Sequence, residues 1–264
     1  MILNSPVYDV AQETPLEKAP RLSDKLENNI FIKREDLQPV FSFKIRGAYN
    51  KIVQLSPSER QRGVIAASAG NHAQGVALAA ERLGIKATIV MPETTPEIKV
   101  DGVKKFGARV ILNGDDFSTA FAKAQEIANE NSLVFIPPFD DPFVIAGQGT
   151  IALELLRQYT KSIHAIFVPI GGGGLIAGIG SYIKMVRPEI KIIGVESDES
   201  ASMYASIKKG RRITLKNVGI FADGVAVAQV GKEPFRLAKK VVDEIVLADV
   251  DQICAAVKDL FEDT

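Results

Sequence analysis

The stretch VIAASAGNHAQGVALAAERLGIKATIVM, residues 64–91, decides the fold class of this chain. Two short runs rich in β-branched and small apolar residues, 64–67 and 86–91, flank a segment of helical periodicity at 72–83. A strand, a helix and a second strand in this order form a βαβ unit, whose strands are parallel. The stretch therefore predicts an α/β protein.

The same alternation continues towards the C-terminus. Further strands are predicted at 108–112, 133–136, 165–170 and 191–196, with helical segments between them. Because helices form the crossovers between parallel strands, both faces of the sheets are expected to be covered by helices.

A proline-rich and aspartate-rich segment, PPFDDP at 137–142, interrupts this alternation and indicates two lobes. We predict a smaller lobe at 39–134. It is inserted into a larger, discontinuous lobe formed by 1–38 and 135–264.

The composition favours a small-molecule partner. Lys plus Arg and Asp plus Glu both number 32, so no excess charge attracts nucleic acid or an anionic membrane. The single cysteine, Cys254, excludes an intrachain disulfide and is expected to be buried on the apolar face of the last helix. No segment has the pattern of a membrane span or a signal peptide, and a cytoplasmic protein is expected.

A lysine with unusual surroundings lies in FSFKIRGAYNKIV, residues 41–53. The apolar spacing predicts a helix with a buried face, and Ser42 occupies the position of an N-cap. Lys44 then lies in the first helical turn, where the helix dipole and two flanking phenylalanines favour its neutral amine. A neutral amine is what an aldehyde requires of a nucleophile. The alternative is an ordinary lysine that extends to solvent.

The glycine run GGGGL, residues 171–175, follows a predicted strand and opens a predicted helix. Backbone N–H groups at such a junction can converge on a phosphate, although a tight turn without a ligand is the alternative. No Walker lysine is present, and Ile176 replaces the third glycine of the dinucleotide fingerprint. Because Glu196 imitates the ribose-binding acid of that fingerprint, a non-covalent dinucleotide-binding protein stays open.

A second candidate anion site is SAGNHAQG, residues 68–75. Ser68 can cap the following helix, and Gly70 lets backbone N–H groups approach a substrate carboxylate. Asn71 adds an amide that can bind a ring hydroxyl. His72 is interpreted as structural, because the sequence shows no group that would orient it as a base. Neither histidine joins a metal-ligand pattern, so no metal site is predicted.

Taken together, SFKIRGA (42–48), SAGNHAQG and GGGGL resemble the fold-type II pyridoxal-phosphate enzymes and, among them, the biosynthetic threonine dehydratases, or threonine ammonia-lyases. The resemblance covers nearly the whole chain from about residue 8, including PPFDDPFVIAGQGTIALELL and VGIFADGVAV. It implies a two-lobed α/β architecture like that of tryptophan synthase β and the cofactor pyridoxal 5′-phosphate. The implied reaction converts L-threonine to 2-oxobutanoate and ammonia, as in isoleucine biosynthesis, and leaves L-serine open as a second substrate.

The resemblance also implies roles for single residues. Lys44 corresponds to the catalytic lysine that binds the cofactor, Phe43 to the residue packed beside it, and Asn71 to the partner of its 3-hydroxyl. Gly224 corresponds to backbone that borders the pyridine ring. The phosphate-binding loop corresponds to Gly171, Gly172, Gly173, Gly174 and Leu175. The loop that binds the substrate carboxylate corresponds to Ser68, Ala69, Gly70, Asn71 and His72.

Serine racemase and serine dehydratase, on the same fold, are the nearest alternatives. The racemase has a second serine where this chain has Ala69, and a methyl group cannot carry the proton that racemisation needs. Its divalent-cation site is incomplete here, because Ser202 replaces an aspartate although Glu196 is present.

The resemblance further implies a chain truncated at its C-terminal end and a homotetramer in the complete enzyme. The last predicted helix, 252–262, precedes a chain end at Thr264 that has no cap and no following strand. Its apolar residues Ile253, Val257 and Leu260 are therefore expected to be exposed.

Overall fold

Strands and helices alternate along residues 1–263, the part of the chain that the computed structural model describes. The strands in that range are β1 (Leu16–Lys18), β2 (Phe31–Lys33), β3 (Val64–Ala67), β4 (Ala87–Met91), β5 (Arg109–Leu112), β6 (Val134–Phe135), β7 (Ala165–Pro169), β8 (Lys191–Ser197) and β9 (Glu244–Ala248). The helices there are α1 (Pro20–Lys25), α2 (Lys44–Ile52), α3 (Pro57–Arg62), α4 (Asn71–Arg82), α5 (Glu97–Lys104), α6 (Phe117–Asn131), α7 (Pro142–Gln158), α8 (Gly174–Val186), α9 (Ser202–Lys209), α10 (Lys232–Val241) and α11 (Val250–Asp263). Single 3-10 turns occupy Ile2–Asn4, Val7–Asp9, Glu35–Leu37, Asp198–Ser200 and Asp223–Val225. The predicted α/β class is confirmed.

The first compact unit comprises Met1–Gln12 and Asp36–Gln148. Its four-stranded sheet is parallel throughout and has the order β5-β4-β3-β6. Alternate residues of β3 point to opposite faces, as the period of a strand requires. Val64 and Ala66 join a core with α2, α4 and α5, whereas Ile65 and Ala67 pack against α6. Both faces of this sheet are therefore covered.

The second compact unit comprises Glu13–Glu35 and the residues from Gly149 onward. It contains the parallel sheet β7-β8-β9 and an antiparallel pair, β1 with β2. Helix α8 packs on β7, β8 and α10. Along β7, Val168 is buried while Phe167 and Pro169 on the opposite face are exposed. The expectation of two covered faces therefore holds for the first sheet and for the central strand β8 of the second, whereas the edge strand β7 exposes one face.

These units differ from the predicted lobes at their edges. Residues 135–148 belong to the first unit, because β6 pairs with β3 and the first half of α7 packs on α2. The division into lobes at residues 38 and 134 stays a prediction.

Helix α11 departs from one expectation about its side chains. None of its described residues is buried, so Cys254 is exposed and its predicted burial is wrong. Val257 and Leu260 are exposed as predicted, and Ile253 is half-buried. The predicted break at Thr264 lies outside the described residues. No helix in the described range is long and apolar enough to cross a membrane.

Candidate active site

Lys44 is the first residue of α2, as its place in the predicted first turn required. The predicted N-cap is wrong by one residue, because Phe43 already has helical dihedral angles and takes the N-cap position. Ser42 still contributes, since its Oγ accepts the N–H of Lys44 at 3.3 Å. The helix buries Ile45, Ala48, Tyr49 and Ile52, so its apolar face fixes the backbone of Lys44.

The amine of Lys44 has the surroundings of a nucleophile. Its Nζ donates to the carbonyl oxygen of Pro138 at 3.3 Å and lies 5.4 Å from the ring centroid of Phe43. Burial of the charged form lowers the pKa of Lys44 to about 8. The neutral form of the amine is therefore much more populated near physiological pH than that of a lysine in water.

The topology of the sheet explains why these groups meet. β3 lies between β4, which follows it in sequence, and β6, which comes from the far end of the unit. Ligands of open α/β sheets bind at such a switch point, beyond the carboxyl ends of the strands. The loop that begins at Ser68 follows β3, and Pro138 follows β6. The two segments are therefore neighbours around Lys44.

The predicted carboxylate loop has free space on its ligand side. Ser68 Oγ accepts the N–H of Gly70 at 3.2 Å, and Gly70 is the N-cap of α4 without a side-chain cap bond. The first N–H groups of a helix have no partner within the helix, so those at the start of α4 suit an anion. A Cβ added to Gly70 would meet no atom within 4 Å. Ala69 is half-buried and the Asn71 side chain is exposed.

His72 is buried beneath this loop, and its Nε2 lies 2.9 Å from the carbonyl oxygen of Ile136. A carbonyl oxygen only accepts, so Nε2 carries the proton and donates. Burial, aided by the positive charge of Lys44, lowers the pKa of His72 to about 3, against the opposing effect of the bond to Ile136. The neutral imidazole thus connects α4 to the residue after β6 by a hydrogen bond.

The glycine run lies in the second unit, between β7 and α8. Gly173 has φ +90°, and a Cβ there would lie 2.7 Å from Cε of Met203 and 2.9 Å from Cβ of Pro234. Glycine is therefore required at this position by both conformation and space. Gly173 is also the N-cap of α8 and forms no side-chain cap bond. The N–H groups of Gly174 and Leu175 at the helix start suit a phosphate.

Gly224 is close to that run. It lies in the single turn Asp223–Val225, and a Cβ on Gly171 would be 3.1 Å from Cα of Val225. A Cβ on Gly224 itself would meet no atom within 4 Å, which leaves room for a ligand. The structure thus groups Gly171–Gly174, Leu175 and Gly224 in the second unit. It groups Phe43, Lys44 and Ser68–His72 in the first.

Two groups of this site were missed from the sequence, the carbonyl oxygens of Ile136 and Pro138. The sequence feature that could have located them is the segment 137–142, because it directly follows a predicted strand. Carboxyl ends of parallel strands share one edge of a sheet, so that segment belonged beside Ser68.

Glu196, the acid of the incomplete divalent-cation site, lies in β8 and is bonded to backbone N–H groups. Its two carboxylate oxygens accept the N–H groups of Met203 and Tyr204 at 2.8 and 2.7 Å. Burial raises the pKa of Glu196 to about 7, although these two bonds oppose the shift. The hydroxyl of Ser202 is buried nearby without a hydrogen-bond partner. Among the described residues, no group of three or more His, Cys, Asp or Glu side chains could hold a metal ion.

Comparison with known proteins establishes the class of this protein. The family model described as pyridoxal-phosphate dependent enzyme matches residues 7–264, and the chain belongs to this family. This membership decides against the dinucleotide-binding alternative.

Three relatives show which members of the family this chain resembles. The chain is 57% identical to the biosynthetic L-threonine dehydratase of Burkholderia multivorans over 266 residues, which cover all of this chain and 52% of that protein. It is 55% identical to the processed form of threonine deaminase isoform 2 from Solanum lycopersicum, with a TM-score of 0.97 and coverage of 99% and 76%. Maize serine racemase is 33% identical, with a TM-score of 0.95 and coverage of 99% and 79%. The chain spans about half the length of the curated relatives it matches.

The cofactor of this family, pyridoxal 5′-phosphate, fits the residues present. Its phosphate suits the uncapped start of α8, and its aldehyde suits an amine with a lowered pKa such as that of Lys44. Open space at Gly70 and Gly224 leaves room for ligands at both groups of residues.

Proposed function

We propose that this chain removes water and ammonia from L-threonine to give 2-oxobutanoate. The observation that carries the proposal is the Lys44 amine, whose pKa is lowered to about 8, beside an uncapped helix start suited to a carboxylate. An amine base and a carboxylate site in the same unit are what abstraction of the Cα proton of an amino acid requires. The threonine dehydratase and threonine deaminase named above support this substrate.

In the proposed site, Gly171, Gly172, Gly173, Gly174 and Leu175 hold the cofactor phosphate. Gly224 borders the ring, Phe43 packs beside it, and the amide of Asn71 binds its 3-hydroxyl. The bound cofactor supplies an electron-withdrawing ring that stabilises negative charge at Cα of the substrate. Lys44 would hold the cofactor through its amine, the nucleophile that the cofactor aldehyde needs.

During turnover the chain orients threonine and moves one proton. Backbone N–H groups of the Ser68–His72 loop hold the substrate carboxylate, which leaves Cα–H within reach of Lys44. The neutral Lys44 amine takes that proton and the Cβ–OH bond breaks. One proton, equal to the one taken from Cα, joins the departing hydroxide, which leaves as water. The resulting enamine hydrolyses to 2-oxobutanoate and ammonia, so one water is lost and one is consumed. His72 stays neutral during turnover and keeps its hydrogen bond to the carbonyl oxygen of Ile136.

The test compares wild-type protein with Lys44→Ala. Borohydride reduction in the presence of pyridoxal phosphate, followed by mass spectrometry, should locate the covalent adduct on Lys44. The variant should lose the adduct, and 2-oxobutanoate formation should fall by about 10²- to 10⁴-fold or more, because the base is removed. Lys104→Ala, an exposed lysine of α5, serves as the matched control. Turnover of threonine by Lys44→Ala at near wild-type rate would contradict the assignment.

The same assay defines the substrate. L-Serine should be converted to pyruvate more slowly, because a pocket that accepts the extra methyl of threonine gains roughly 1 to 3 kcal/mol from it. No D-serine should form, since Ala69 cannot carry a proton. Preference for serine or formation of D-serine would move the proposal towards the serine dehydratases or racemases.

We further propose a homo-oligomer, specifically a homotetramer, and a cytoplasmic location. A neutral net charge gives no general attraction to an anionic membrane, which supports the proposed location. Light scattering on the purified protein measures the oligomeric state.

A further inference from the structure

The backbone of Lys44 is in close contact with a glycine of α4. A Cβ added to Gly75 would lie 3.1 Å from the carbonyl carbon of Lys44, 3.2 Å from its oxygen and 3.2 Å from the nitrogen of Ile45. All three are backbone atoms, which cannot rotate away as the end of a side chain can. Even a methyl group at this position would therefore displace the first turn of α2 by a few tenths of an ångström.

A second glycine contact holds the other side of the same turn. A Cβ on Gly147 of α7 would lie 2.5 Å from the carbonyl oxygen of Arg46 and 2.7 Å from Cα of Gly47. The N–H of Gly47 donates to Oε1 of Gln148 at 3.2 Å, which adds a polar bond to this crossing. Residues 44–47 are thus held between two helices at backbone distance.

Glycine weakens the interior of a helix, so its presence at these positions has to be explained by what it allows. At Gly75 it allows direct backbone contact between α4 and Lys44. The same helix carries Asn71 and His72 in its first turn, one turn before Gly75. The contact therefore fixes the position of the Lys44 amine relative to the loop proposed to bind the substrate carboxylate.

We propose that Gly75 is a positioning residue for Lys44, which sets the amine at the distance from the carboxylate loop that proton abstraction from Cα requires. This rests on the proposed function, in which Lys44 is the reacting amine. A shift of the turn leaves the chemistry of every group intact and alters only its placement. The affected step is therefore proton transfer rather than substrate binding.

The test is Gly75→Ala in the full chain, measured with L-threonine. Because misplacement by less than an ångström already slows an oriented reaction, kcat should fall by roughly 10- to 100-fold while KM changes by less than about threefold. The apo-protein should also capture pyridoxal phosphate more slowly, as followed by borohydride trapping on Lys44. Wild-type kcat and wild-type capture rate in this variant would overturn the proposal.

Two controls separate placement from stability. Gly102→Ala changes a helical glycine of α5 in the same unit, where the added Cβ makes ordinary contact at 3.7 Å with Gln74, so both rates should be unchanged. Ile127→Ala removes apolar contacts of α6 on the other face of the sheet and lowers the melting temperature without touching α2 or α4. If Ile127→Ala reduces kcat as much as Gly75→Ala at an equal loss of stability, the effect is structural and the proposal is wrong.

The two readouts also separate this inference from the proposed function. A wild-type protein that traps the cofactor on Lys44 but leaves threonine unchanged would contradict the proposed substrate. The capture rate of Gly75→Ala relative to Gly102→Ala would then still decide whether Gly75 positions the amine.

Discussion

The amine of Lys44 donates a hydrogen bond to a backbone carbonyl and no carboxylate neutralises its charge among the contacts described for it. Burial removes the protonated amine from water, which raises the free energy of the charged form. A nearby acid would offset this increase, and without one the pKa of the amine falls. In the proposed function, Lys44 therefore acts as a nucleophile without a dedicated base to deprotonate it.

This leads to a prediction about reactivity in the absence of the cofactor. Acetic anhydride labelling of the apo-protein, resolved by mass spectrometry from pH 6 to 10.5, should show Lys44 reacting with a midpoint near its pKa of about 8. A lysine in water has a pKa of about 10.4. Exposed Lys104 provides the internal comparison. A midpoint near 10 for Lys44 would show that burial does not favour the neutral amine.

Local sequence was sufficient to single out Lys44 and the two glycine-containing loops, because strand ends, helix starts and glycine runs are read within a few residues. It could not supply the groups that hold them. Pro138 is 94 residues from Lys44, and Ile136 is 64 residues from His72. Gly75 was visible as part of a motif, but its contact with Lys44 depends on how α2 packs against α4.

At the scale of elements, α1 and α11 are joined by a cap from a distant part of the chain. The N-cap of α1 is Ala19, which has no side-chain acceptor. The carboxylate of Asp263 accepts the N–H groups of Arg21 and Leu22 at 2.9 and 2.8 Å. An acid at a helix N-terminus is also favoured by the helix dipole. The last helix therefore stabilises the start of the first.

Asp263→Ala should weaken this connection. Loss of an N-cap costs about 0.5 to 2 kcal/mol, and the loss should appear as faster amide hydrogen exchange in α1 and α11. Glu262→Ala is the matched control, because its only described ion pair is an exposed one with Lys258 at 3.9 Å. Equal exchange in the two variants would show that the Asp263 cap contributes nothing measurable.

Elements with a clear periodicity were predicted well, and elements without one were not. Helix α4 and strands β3 and β4 have clear periodicity, and their bounds differ from the predicted ones by about one residue. Strands β1 and β2 are three residues each, and β9 is a five-residue apolar run of no decisive period. Such runs become strands through their partners, here β8 in the case of β9.

At the scale of the whole molecule, buried His72 links stability to pH. Its pKa of about 3 in the folded chain lies below the value of about 6.5 for an unfolded histidine, so the unfolded chain binds more protons between these values. The stability it contributes is complete above about pH 6.5 and is lost as the pH falls towards 3.

Urea unfolding at pH 7 and pH 5 tests this linkage. The wild-type protein should lose about 2 kcal/mol more of its free energy of unfolding between these pH values than His72→Asn, which has no proton to gain. The comparison uses the change with pH, so any loss of stability common to both pH values in the variant cancels. An identical pH dependence in the two proteins would mean that His72 is not buried in its neutral form.

The order of strands in the first sheet was the part least accessible to sequence. Adjacent pairing of β3, β4 and β5 follows from their short crossovers, since sequential strands usually neighbour each other. The place of β6 beside β3 does not, because a two-residue strand carries little pattern of its own. The switch point, and with it the neighbourhood of Lys44, follows from that one pairing.

That pairing also sets an order of events when the chain is made. Val64 is in register with Val134, so β6 joins the sheet only by closing a loop of about 70 residues, which is slow compared with the local β3-α4-β4 pairing. On the ribosome, Lys44 and the Ser68 loop emerge well before Ile136 and Pro138. Until these two carbonyl groups arrive, His72 has no acceptor and the amine of Lys44 remains hydrated. In the proposed function, cofactor capture on Lys44 therefore follows the pairing of β6 with β3, as a late step of folding rather than its nucleus.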